Sequence, residues 1–497
     1  MPYDVIVVGA GSAGCVAAAE LHRRGVGRVL VLEAGASDLH PLVAMPMGLT
    51  WLMGSSRDWK LETIQMEGAG GRRVAAPRGK MLGGSGSINS MVWFRGRAAD
   101  FDAWGVDGWR AADVESAFAA VEERLAPVQL AHTHPLTRGL EAMLPTNSGT
   151  PTPDRESAGV FSHNIKGGRR NSAARAFLRR HDIATVTGAT VDRLTWRGGR
   201  VAGVRLADGS QIDATKGVVL AAGAFMSPAI LMRSGIGRVD ALERLGITPR
   251  AESPEVGDNL HDHPGFGLHF ERAGSGYGLE PAQWPLWAAA PFLMPFGRGP
   301  LASPTVEGGG FFNARGDGPE PDVQSHFIPF HLDHAGHKYA LKSGYFADVC
   351  LCQPKSRGAL WITSAEPTAP PRIDLGLFRE ESDLDTLTAG VERLRHLLAK
   401  AEFGGRRGRE VGPSEGKTGA QLKEVIRQRA GTAYHPVGTC RMGADAGAVV
   451  TPRLAVRGVE GAWVMDASIM PRVTSANTNA PSMMIGWKGA QMVAEDL

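Results

Sequence analysis

Residues 3–33 read YDVIVVGAGSAGCVAAAELHRRGVGRVLVLE, and their pattern predicts the first folding unit of the chain. The β-branched run from Asp4 to Val8 predicts a strand, and the glycine-rich GAGSAG segment after it predicts a tight turn. The small and apolar residues from Cys15 to Arg24 predict a helix, and Arg28 to Leu32 is a second β-rich run that ends at Glu33. The order strand, turn, helix and strand predicts a βαβ unit with two parallel strands.

The glycines of the turn have a spacing, Gly9-x-Gly11-x-x-Gly14, that fits a dinucleotide site. The first glycine permits the turn, the second lets the backbone reach a pyrophosphate, and the third lets the helix pack closely. The helix N-terminus adds N–H groups and a partial positive charge that attract an anion. Glu33 stands at the ribose-binding position and disfavours a 2′-phosphate. No second motif of this kind occurs, so we predict one dinucleotide site; an ordinary glycine-rich turn is the alternative.

Composition limits the class of protein. The chain has 497 residues, 43% hydrophobic and 21% charged, with a formal net charge of +3. These values are typical of a globular protein. Because the chain also has no run of like charges, we predict no nucleic-acid partner. The four cysteines fit neither a disulfide framework nor a zinc pattern, and we expect no metal. The first residues lack the pattern of a secretory signal, so we expect none. The longest apolar stretch, Pro285–Phe296, is too short to span a bilayer, and we expect a cytoplasmic protein with no transmembrane segment.

Hydrophobic periodicity predicts further helices and strands along the chain. The expected helices cover residues 112–123, 171–180, 227–233, 380–400 and 417–430. The expected strands cover residues 184–195, 201–206 and 216–222. The stretch 464–497 returns to strand, loop and helix. Residues 128–168 are polar and rich in Pro and Thr, which predicts a surface excursion.

A second glycine-rich segment, Arg78 to Asn89, is suited to laying backbone amides along a second, bulky ring system. Residues 79–96 resemble the first signature of the glucose–methanol–choline oxidoreductases, and residues 223–237 (GAFMSPAILMRSGIG) resemble the second. Residues 256–263 (VGDNLHDH) are similar to a further segment of that family. With the N-terminal βαβ unit and the C-terminal block, the resemblance covers essentially the whole chain. It implies an oxidoreductase that binds FAD in the single dinucleotide site.

The resemblance also implies an architecture. It predicts a discontinuous α/β FAD-binding Rossmann-like domain, residues 1–263 and 430–497. An α+β substrate-binding domain with an antiparallel sheet is expected over residues 264–429, and the chain is expected to be a monomer or a homodimer. The 128–168 region is shorter than is usual in the family, which would leave the active-site entrance more open.

The resemblance assigns the cofactor contacts by position. Asp466 resembles the residue that meets the ribityl chain of FAD, and Asn479 is expected to contact the flavin. Position 88 is Ile where covalently flavinylated choline oxidases carry the linking histidine, so FAD is expected to be noncovalent. The full expected set is Gly9, Gly11, Ser12, Gly14, Glu33, Arg78, Leu82, Gly83, Gly84, Asn89, Val191, Gly223, Asp466, Ala467 and Asn479.

Two C-terminal residues are the candidates for catalysis. His435 precedes a proline, which restricts its backbone to extended angles and so orients its ring. A neutral imidazole is suited to take the O–H proton of an alcohol as hydride leaves the carbon. Asn477, by resemblance, is the second polar group at the substrate oxygen, and an amide can donate there without competing for the proton. An Asx-turn before the last helix is the alternative for Asn477 and Asn479.

The substrate is less well defined by the sequence. The leading interpretation is oxidation of a primary alcohol by hydride transfer to flavin N5, with oxygen or a quinone or cytochrome as acceptor. Glu307, His326 and Tyr434 are assigned to the substrate pocket. Choline is an alternative, because a carboxylate beside aromatic rings can hold a quaternary ammonium; the tryptophans available to line such a pocket are Trp51, Trp59, Trp284 and Trp287. A hydroxynitrile-lyase-type enzyme without net redox change is the other alternative.

Overall fold

The structure is a computed structural model that describes residues 2–144, 150–332 and 342–497. Two large sheets of seven strands each organise this part of the chain. Their strands are β1 (Tyr3–Val8), β2 (Val29–Glu33), β3 (Ser157–Val160), β4 (Ala184–Thr187), β5 (Val191–Arg197), β6 (Arg200–Leu206), β7 (Gln211–Leu220), β8 (Pro264–Glu271), β9 (Gly308–Phe312), β10 (Val323–Ile328), β11 (Gly344–Leu351), β12 (Arg409–Val411), β13 (Gly431–Thr432) and β14 (Ala462–Val464).

The first sheet has the order β4-β2-β1-β7-β6-β5, with β14 also paired to β7. Strands β4, β2, β1, β7 and β14 run parallel, and β6 and β5 add an antiparallel edge. Strands β1 and β2 are rich in β-branched residues and largely buried, as expected of strands covered by helices. In register, Val7 lies between Val31 and Val219.

The second sheet is antiparallel throughout, in the order β12-β8-β11-β10-β9-β3, with β13 paired to β8. Its register matters for the site, because it places His326 of β10 directly opposite Asp348 of β11. Gln324 lies two residues before His326, and alternate residues of a strand share one face.

Seven helices of the described residues have ten residues or more. They are α1 (Ser12–Arg23), α2 (Ala111–Leu125), α3 (Gly223–Arg233), α4 (Trp284–Leu293), α5 (Glu381–Lys400), α6 (Gly419–Arg429) and α7 (Asn479–Asp496). Helix α5 buries one apolar stripe, including Leu384, Leu387 and Val391, against β11. Helices α1 and α7 pack side by side, and only a glycine at 486 permits it, because a Cβ there would lie 2.3 Å from the carbonyl oxygen of Ala13.

Short elements complete the described fold. The two-stranded sheets pair Leu61–Glu62 with Ala75–Ala76, Val128–Gln129 with Ser162–His163, Ile165–Lys166 with Arg169–Arg170, Ile236–Gly237 with Ala251–Glu252, and Ala359–Trp361 with Arg372–Asp374. The short α-helices are Pro41–Ala44, Leu49–Leu52, Ala98–Asp102, Pro135–Arg138, Ala173–Ala176 and Val239–Arg244. The 3₁₀ turns are Pro46–Gly48, Glu67–Ala69, Gly84–Ser87, Gly139–Met143, Leu178–Arg180, Pro281–Gln283, Met294–Phe296, Pro300–Ala302 and Ala467–Ile469. In the described part of the chain no helix is both long and apolar enough to cross a membrane.

The predicted fold class is confirmed: a largely parallel sheet between helices carries the N-terminal unit, and an antiparallel sheet forms the second. Two local predictions are wrong. Residues 128–168 are not simply a surface excursion, because β3 within them is fully buried at the edge of the second sheet. The helix predicted over 171–180 is a single turn, Ala173–Ala176, followed by a 3₁₀ turn. The domain boundaries stay a prediction. Strands β3 and β13 come from ranges assigned to the first domain, yet both pair in the second sheet.

Candidate active site

A cavity of about 1410 Å³ extends from the carboxyl ends of β1, β2 and β7 to strands β8, β10 and β11 of the second sheet. The carboxyl ends of parallel strands are where α/β sheets bind ligands. The volume exceeds that of a usual small-molecule pocket, roughly 300–1,000 Å³. It can therefore hold a dinucleotide and a substrate together.

The N-terminal turn shapes one end of this cavity. Gly9 has a φ of +94°, and a Cβ at Gly14 would lie 1.9 Å from the carbonyl oxygen of Gly9. Only glycine therefore lets α1 approach the turn. A Cβ at Gly11 would meet nothing closer than 3.9 Å, so this residue presents open backbone to the cavity. No side chain caps α1, and the N–H groups of its first turn remain available for an anion.

Glu33 lies at the end of β2 and lines the cavity. Its Oε2 accepts a hydrogen bond from the N–H of Ala10 at 2.9 Å, and its Oε1 accepts one from the N–H of Gly35 at 2.8 Å. Burial nevertheless raises the pKa of Glu33 to about 7. Because each carboxylate oxygen has a second lone pair, Glu33 can still bind a hydroxyl in the cavity, as predicted for a ribose.

Two features of the lining fit FAD. Nδ2 of Asn479 is buried and has no hydrogen-bond partner among the described residues, while its Oδ1 accepts from the hydroxyl of Ser12 at 2.6 Å. Such an orphaned donor inside a cavity indicates a ligand acceptor. Gly223 has a φ of +83°, and a Cβ there would meet nothing within 4 Å, which leaves its backbone open to the cavity. The N–H of Gly223 donates to Oδ2 of Asp466 at 2.8 Å, which fixes the backbone of Gly223 beside the cavity.

The structure divides the expected cofactor set in two. Three members do not line the cavity in the described part of the chain: Gly14 packs against Gly9, and the N–H groups of Leu82 and Gly83 donate to the carbonyls of Ala36 and Ala10 at 3.0 and 2.7 Å. In the described structure these three residues support the turn, and their predicted contact with FAD stays a prediction. The cavity is lined by the others: Gly9, Gly11, Ser12, Glu33, Arg78, Gly84, Asn89, Val191, Gly223, Asp466, Ala467 and Asn479.

The imidazole of His435 is held in one tautomer by a chain of hydrogen bonds. Nε2 of His263 lies 3.0 Å from the carbonyl oxygen of Thr474 and must donate to it, since a carbonyl only accepts. Nδ1 of neutral His263 is then an acceptor, so the Nδ1 of His435, 3.0 Å away, must donate. This leaves a lone pair on Nε2 of His435. Burial, followed by the nearby groups His263, His326 and Arg78, lowers the pKa of His435 well below 6.5, so the ring is neutral at pH 7.

Asn477 and His326 lie next to that lone pair. Nδ2 of Asn477 is 3.2 Å from Nε2 of His435, and its Oδ1 accepts from Nε2 of Gln324 at 3.0 Å. His326 is buried, which disfavours its charged form, but Asp348 outweighs burial and raises the pKa of His326 well above 6.5. The bond from Nδ1 of His326 to Asp348 measures 2.9 Å. This raised pKa favours the imidazolium form of His326 at neutral pH, and Nε2 of His326 lies 3.5 Å from Nδ2 of Asn477.

The segment that carries His435 is fixed by charged groups. Oδ1 of Asp262 accepts the backbone N–H groups of His263 and His435 at 2.7 and 2.8 Å, which ties the two histidine segments together. Arg78 donates from Nη2 to the carbonyl oxygen of Tyr434 at 2.7 Å. Tyr434 has a φ of +64°, uncommon for a residue with a side chain. A strained, over-determined backbone here holds His435 in place.

The predicted substrate pocket is only partly correct. His326 and Tyr434 line the cavity. Glu307 is not among its described lining residues: its carboxylate is 1% exposed and accepts from the N–H of His134 and the hydroxyl of Thr137, both at 2.8 Å. Ser303 supplies a further hydrogen bond to it. Glu307 therefore holds a loop in place. Of the four predicted tryptophans, only Trp59 lines the cavity.

Three residues of the site were not assigned by the sequence: His263, Gln324 and Asp348. His263 stands in the quoted VGDNLHDH segment, so its presence was visible but not its contact with His435. Gln324 could have been found from the period of two along β10, which puts it on the face of His326. Asp348 could not, since only the register of β10 against β11 brings it opposite His326.

Comparison with known proteins agrees with this site. Two family models described as GMC oxidoreductase match residues 3–265 and 354–486. The chain is 35% identical to an alcohol dehydrogenase [acceptor] of Pseudomonas putida, over 99% of this chain and 95% of that protein. It is also 35% identical to an oxygen-dependent choline dehydrogenase of Rhizobium johnstonii, over 99% and 96% of the two chains.

Solved structures share the fold. A pyridoxine 4-oxidase from Mesorbium loti superposes with a TM-score of 0.86 at 28% identity over 98% of each chain. A formate oxidase, at 23% identity, gives a TM-score of 0.89 over 99% of this chain and 98% of that one and supports the fold alone. With both family models matched in order and full-length relatives above 30% identity, the chain belongs to the glucose–methanol–choline (GMC) oxidoreductase family and is an FAD-dependent oxidoreductase.

Proposed function

We propose that this protein oxidises a primary alcohol to the aldehyde, with His435 as the general base and Asn477 as a hydrogen-bond donor to the substrate oxygen. The observation that carries the proposal is the lone pair on Nε2 of His435, which lies inside the cavity and faces the amide donor of Asn477 at 3.2 Å. A general base must be neutral and within hydrogen-bond reach of the proton it removes.

The geometry defines a place for the alcohol oxygen. An oxygen within reach of both groups donates its proton to Nε2 of His435 and accepts from Nδ2 of Asn477. Nε2–H of His326 and Nδ2–H of Asn477 are both donors and cannot bond each other, so their 3.5 Å separation suits a shared acceptor. The negative charge that develops on the oxygen is stabilised by an amide and an imidazolium. FAD, when bound, supplies the acceptor for the hydride that leaves the alcohol carbon.

The charges at this place favour an uncharged alcohol over choline. Glu307, the carboxylate expected to hold a quaternary ammonium, is occupied by backbone and hydroxyl donors away from the cavity. The charged group beside the place for the reacting oxygen is instead the imidazolium of His326. A cation placed beside it is repelled in a site of low dielectric. Asp348 partly offsets this charge, so choline is a poor substrate and not an impossible one.

Anaerobic mixing with a panel of primary alcohols tests the activity. We expect uncharged alcohols to bleach the flavin absorbance with release of the aldehyde, and choline to bleach it more slowly at equal concentration. Reoxidation by air or by an artificial quinone then identifies the class of acceptor, while NAD and NADP are expected to be inert. Cleavage of a cyanohydrin with no bleaching by any alcohol would instead establish the lyase alternative.

FAD is expected to be held without a covalent bond. Ile88 is aliphatic and 5% exposed, and it offers no nucleophilic nitrogen where related enzymes carry the linking histidine. The contacts that remain, at Gly11, Glu33 and Asn479, depend on the fold. Precipitation with acid is expected to release all of the yellow colour into the supernatant. Flavin retained in the washed pellet would show that another side chain makes the attachment.

A further inference from the structure

Residues 284–296, helix α4 and the 3₁₀ turn after it, form an exposed segment with no polar side chain; we call it the apolar segment. Its sequence is WPLWAAAPFLMPF. Trp284 is 61% exposed, Phe292 78% and Phe296 76%. A surface helix normally turns a polar face to water. Here the outward face is itself aromatic and aliphatic, and the catalytic site described above does not use it.

The apolar segment is fixed to the protein. Nε1 of Trp287 donates to the carbonyl oxygen of Gly278 at 2.7 Å, and Nε1 of Trp284 donates to that of Leu279 at 3.1 Å. Ala290 is fully buried beneath the helix. The aromatic rings are therefore presented by a folded scaffold, and an exposed apolar patch of this kind marks an interaction surface.

Basic side chains stand beside the apolar segment. The hairpin of Ile165–Lys166 and Arg169–Arg170 packs against it so closely that a Cβ at Gly168 would lie 2.3 Å from the carbonyl oxygen of Met294. Lys166 and Arg169 of this hairpin are exposed. Arg298, two residues after the segment, is also exposed and lies 3.1 Å from His132. Glu280 is the one carboxylate just before the segment.

We propose that the apolar segment binds the surface of an anionic phospholipid bilayer, lying in the interface without crossing it. Tryptophan and phenylalanine beside Lys and Arg are the composition of helices that lie in the membrane interface. The apolar rings bury among the acyl chains, and Lys166, Arg169 and Arg298 meet the anionic headgroups. Charge and apolarity both complement this partner.

A second copy of the chain fits this surface less well. A stable protein interface takes roughly 20–30 residues from each side, whereas eight residues of the apolar segment are exposed. In a two-fold dimer the same patch faces itself, which would bring like charges of the two hairpins together. Charge and size both favour the bilayer.

Docking there would bring the cavity close to the lipid. Trp287 packs on a buried cluster that contains Val306, Ile328 and Leu332. All three also line the cavity at its second-sheet end. The buried cluster beneath the apolar segment therefore reaches the cavity.

Sedimentation of the purified holoenzyme with vesicles tests this. We expect binding to vesicles of mixed phosphatidylcholine and phosphatidylglycerol, weaker at high salt. Phe292→Glu/Phe296→Glu is expected to weaken partitioning by about tenfold or more, because buried apolar area sets interfacial affinity. The control Val186→Glu/Trp361→Glu adds the same two charges at exposed apolar residues of two strands outside the apolar segment. It is expected to bind vesicles like the parent.

A second variant does not depend on the aromatic residues. Lys166→Gln/Arg169→Gln is expected to weaken binding by about fivefold per charge removed and to flatten its salt dependence. Flavin absorbance and melting temperature of each variant confirm that it is folded. Absence of parent binding would overturn the proposal, as would equal binding by the parent and the Phe292→Glu/Phe296→Glu variant. A dimer in sedimentation equilibrium that the same variant dissociates, without vesicle binding, would assign the surface to a second copy.

Discussion

Replacing His435 by alanine is expected to slow reduction of the flavin by an alcohol by about a hundredfold or more, the usual contribution of a positioned general base. The reason is that Nε2 of His435 is the neutral acceptor beside Asn477. FAD is expected to stay bound, because the Gly11, Glu33 and Asn479 contacts are unchanged. Stopped-flow absorbance under anaerobic conditions measures the rate, and the flavin-to-protein ratio measures retention.

His396→Ala is a matched control for this variant. His396 lies on α5, exposed, with its ring bonded to the carbonyl oxygen of Glu392, and its loss is expected to leave the rate unchanged. Asn477→Ala is expected to cost less than His435→Ala, since it removes one donor and leaves the base. If the His435 variant reduces its flavin at the parent rate, the assignment of the base is wrong.

Replacing His326 by leucine is expected to slow flavin reduction on the order of a hundredfold, because it removes a charged donor from the developing negative oxygen. The same charge predicts a pH dependence. Asp348 raises the pKa of His326 well above 6.5, so the imidazolium persists at neutral pH and is lost as the pH rises through that raised value. The rate is therefore expected to fall on the alkaline side. On the acid side it falls only well below pH 6.5, where His435 becomes protonated.

The variant Asp348→Asn tests the effect of the charge of His326 on the rate while the His326 side chain itself is kept. Loss of the carboxylate removes the largest influence that raises the pKa of His326 and leaves burial opposed by Cys350, so the alkaline fall is expected to move toward lower pH. The side chain of His326 remains in place in this variant. An alkaline limb that stays where it is in Asp348→Asn would show that another group titrates there.

The first sheet could be predicted because its information is local. The pattern of residues 3–33 predicts a strand, a turn, a helix and a second strand in order, and Gly9 and Gly14 have steric reasons that the structure confirms. The short strand Ser157–Val160 could not be predicted, since it is stabilised by its pairing with β9 and not by its own composition. The failed helix over 171–180 shows the same limit, because only one turn of it is helical in the tertiary context.

In the site, too, residues in local sequence patterns could be predicted, whereas features that depend on tertiary contacts could not. Sequence motifs placed His435, Asn477, Glu33 and Asn479 in the cavity, because each follows a recognisable local pattern. Glu307 was misassigned because a sequence cannot show which donors satisfy a carboxylate. The charge on His326 was likewise invisible, since it arises from a partner on the neighbouring strand.

If His435 is the base, as we propose, the hydrogen-bond chain behind it also determines how the base is recovered after each turnover. Once Nε2 has taken the substrate proton, the opposite side of the ring offers no exit: burial lowers the pKa of His263 to about 4, and beyond it stands the carbonyl oxygen of Thr474, which is no proton acceptor at this pH. The proton must therefore return through Nε2 to the cavity itself. Under the proposed role of His435, an aldehyde that leaves the cavity slowly is therefore expected to delay recovery of the neutral base.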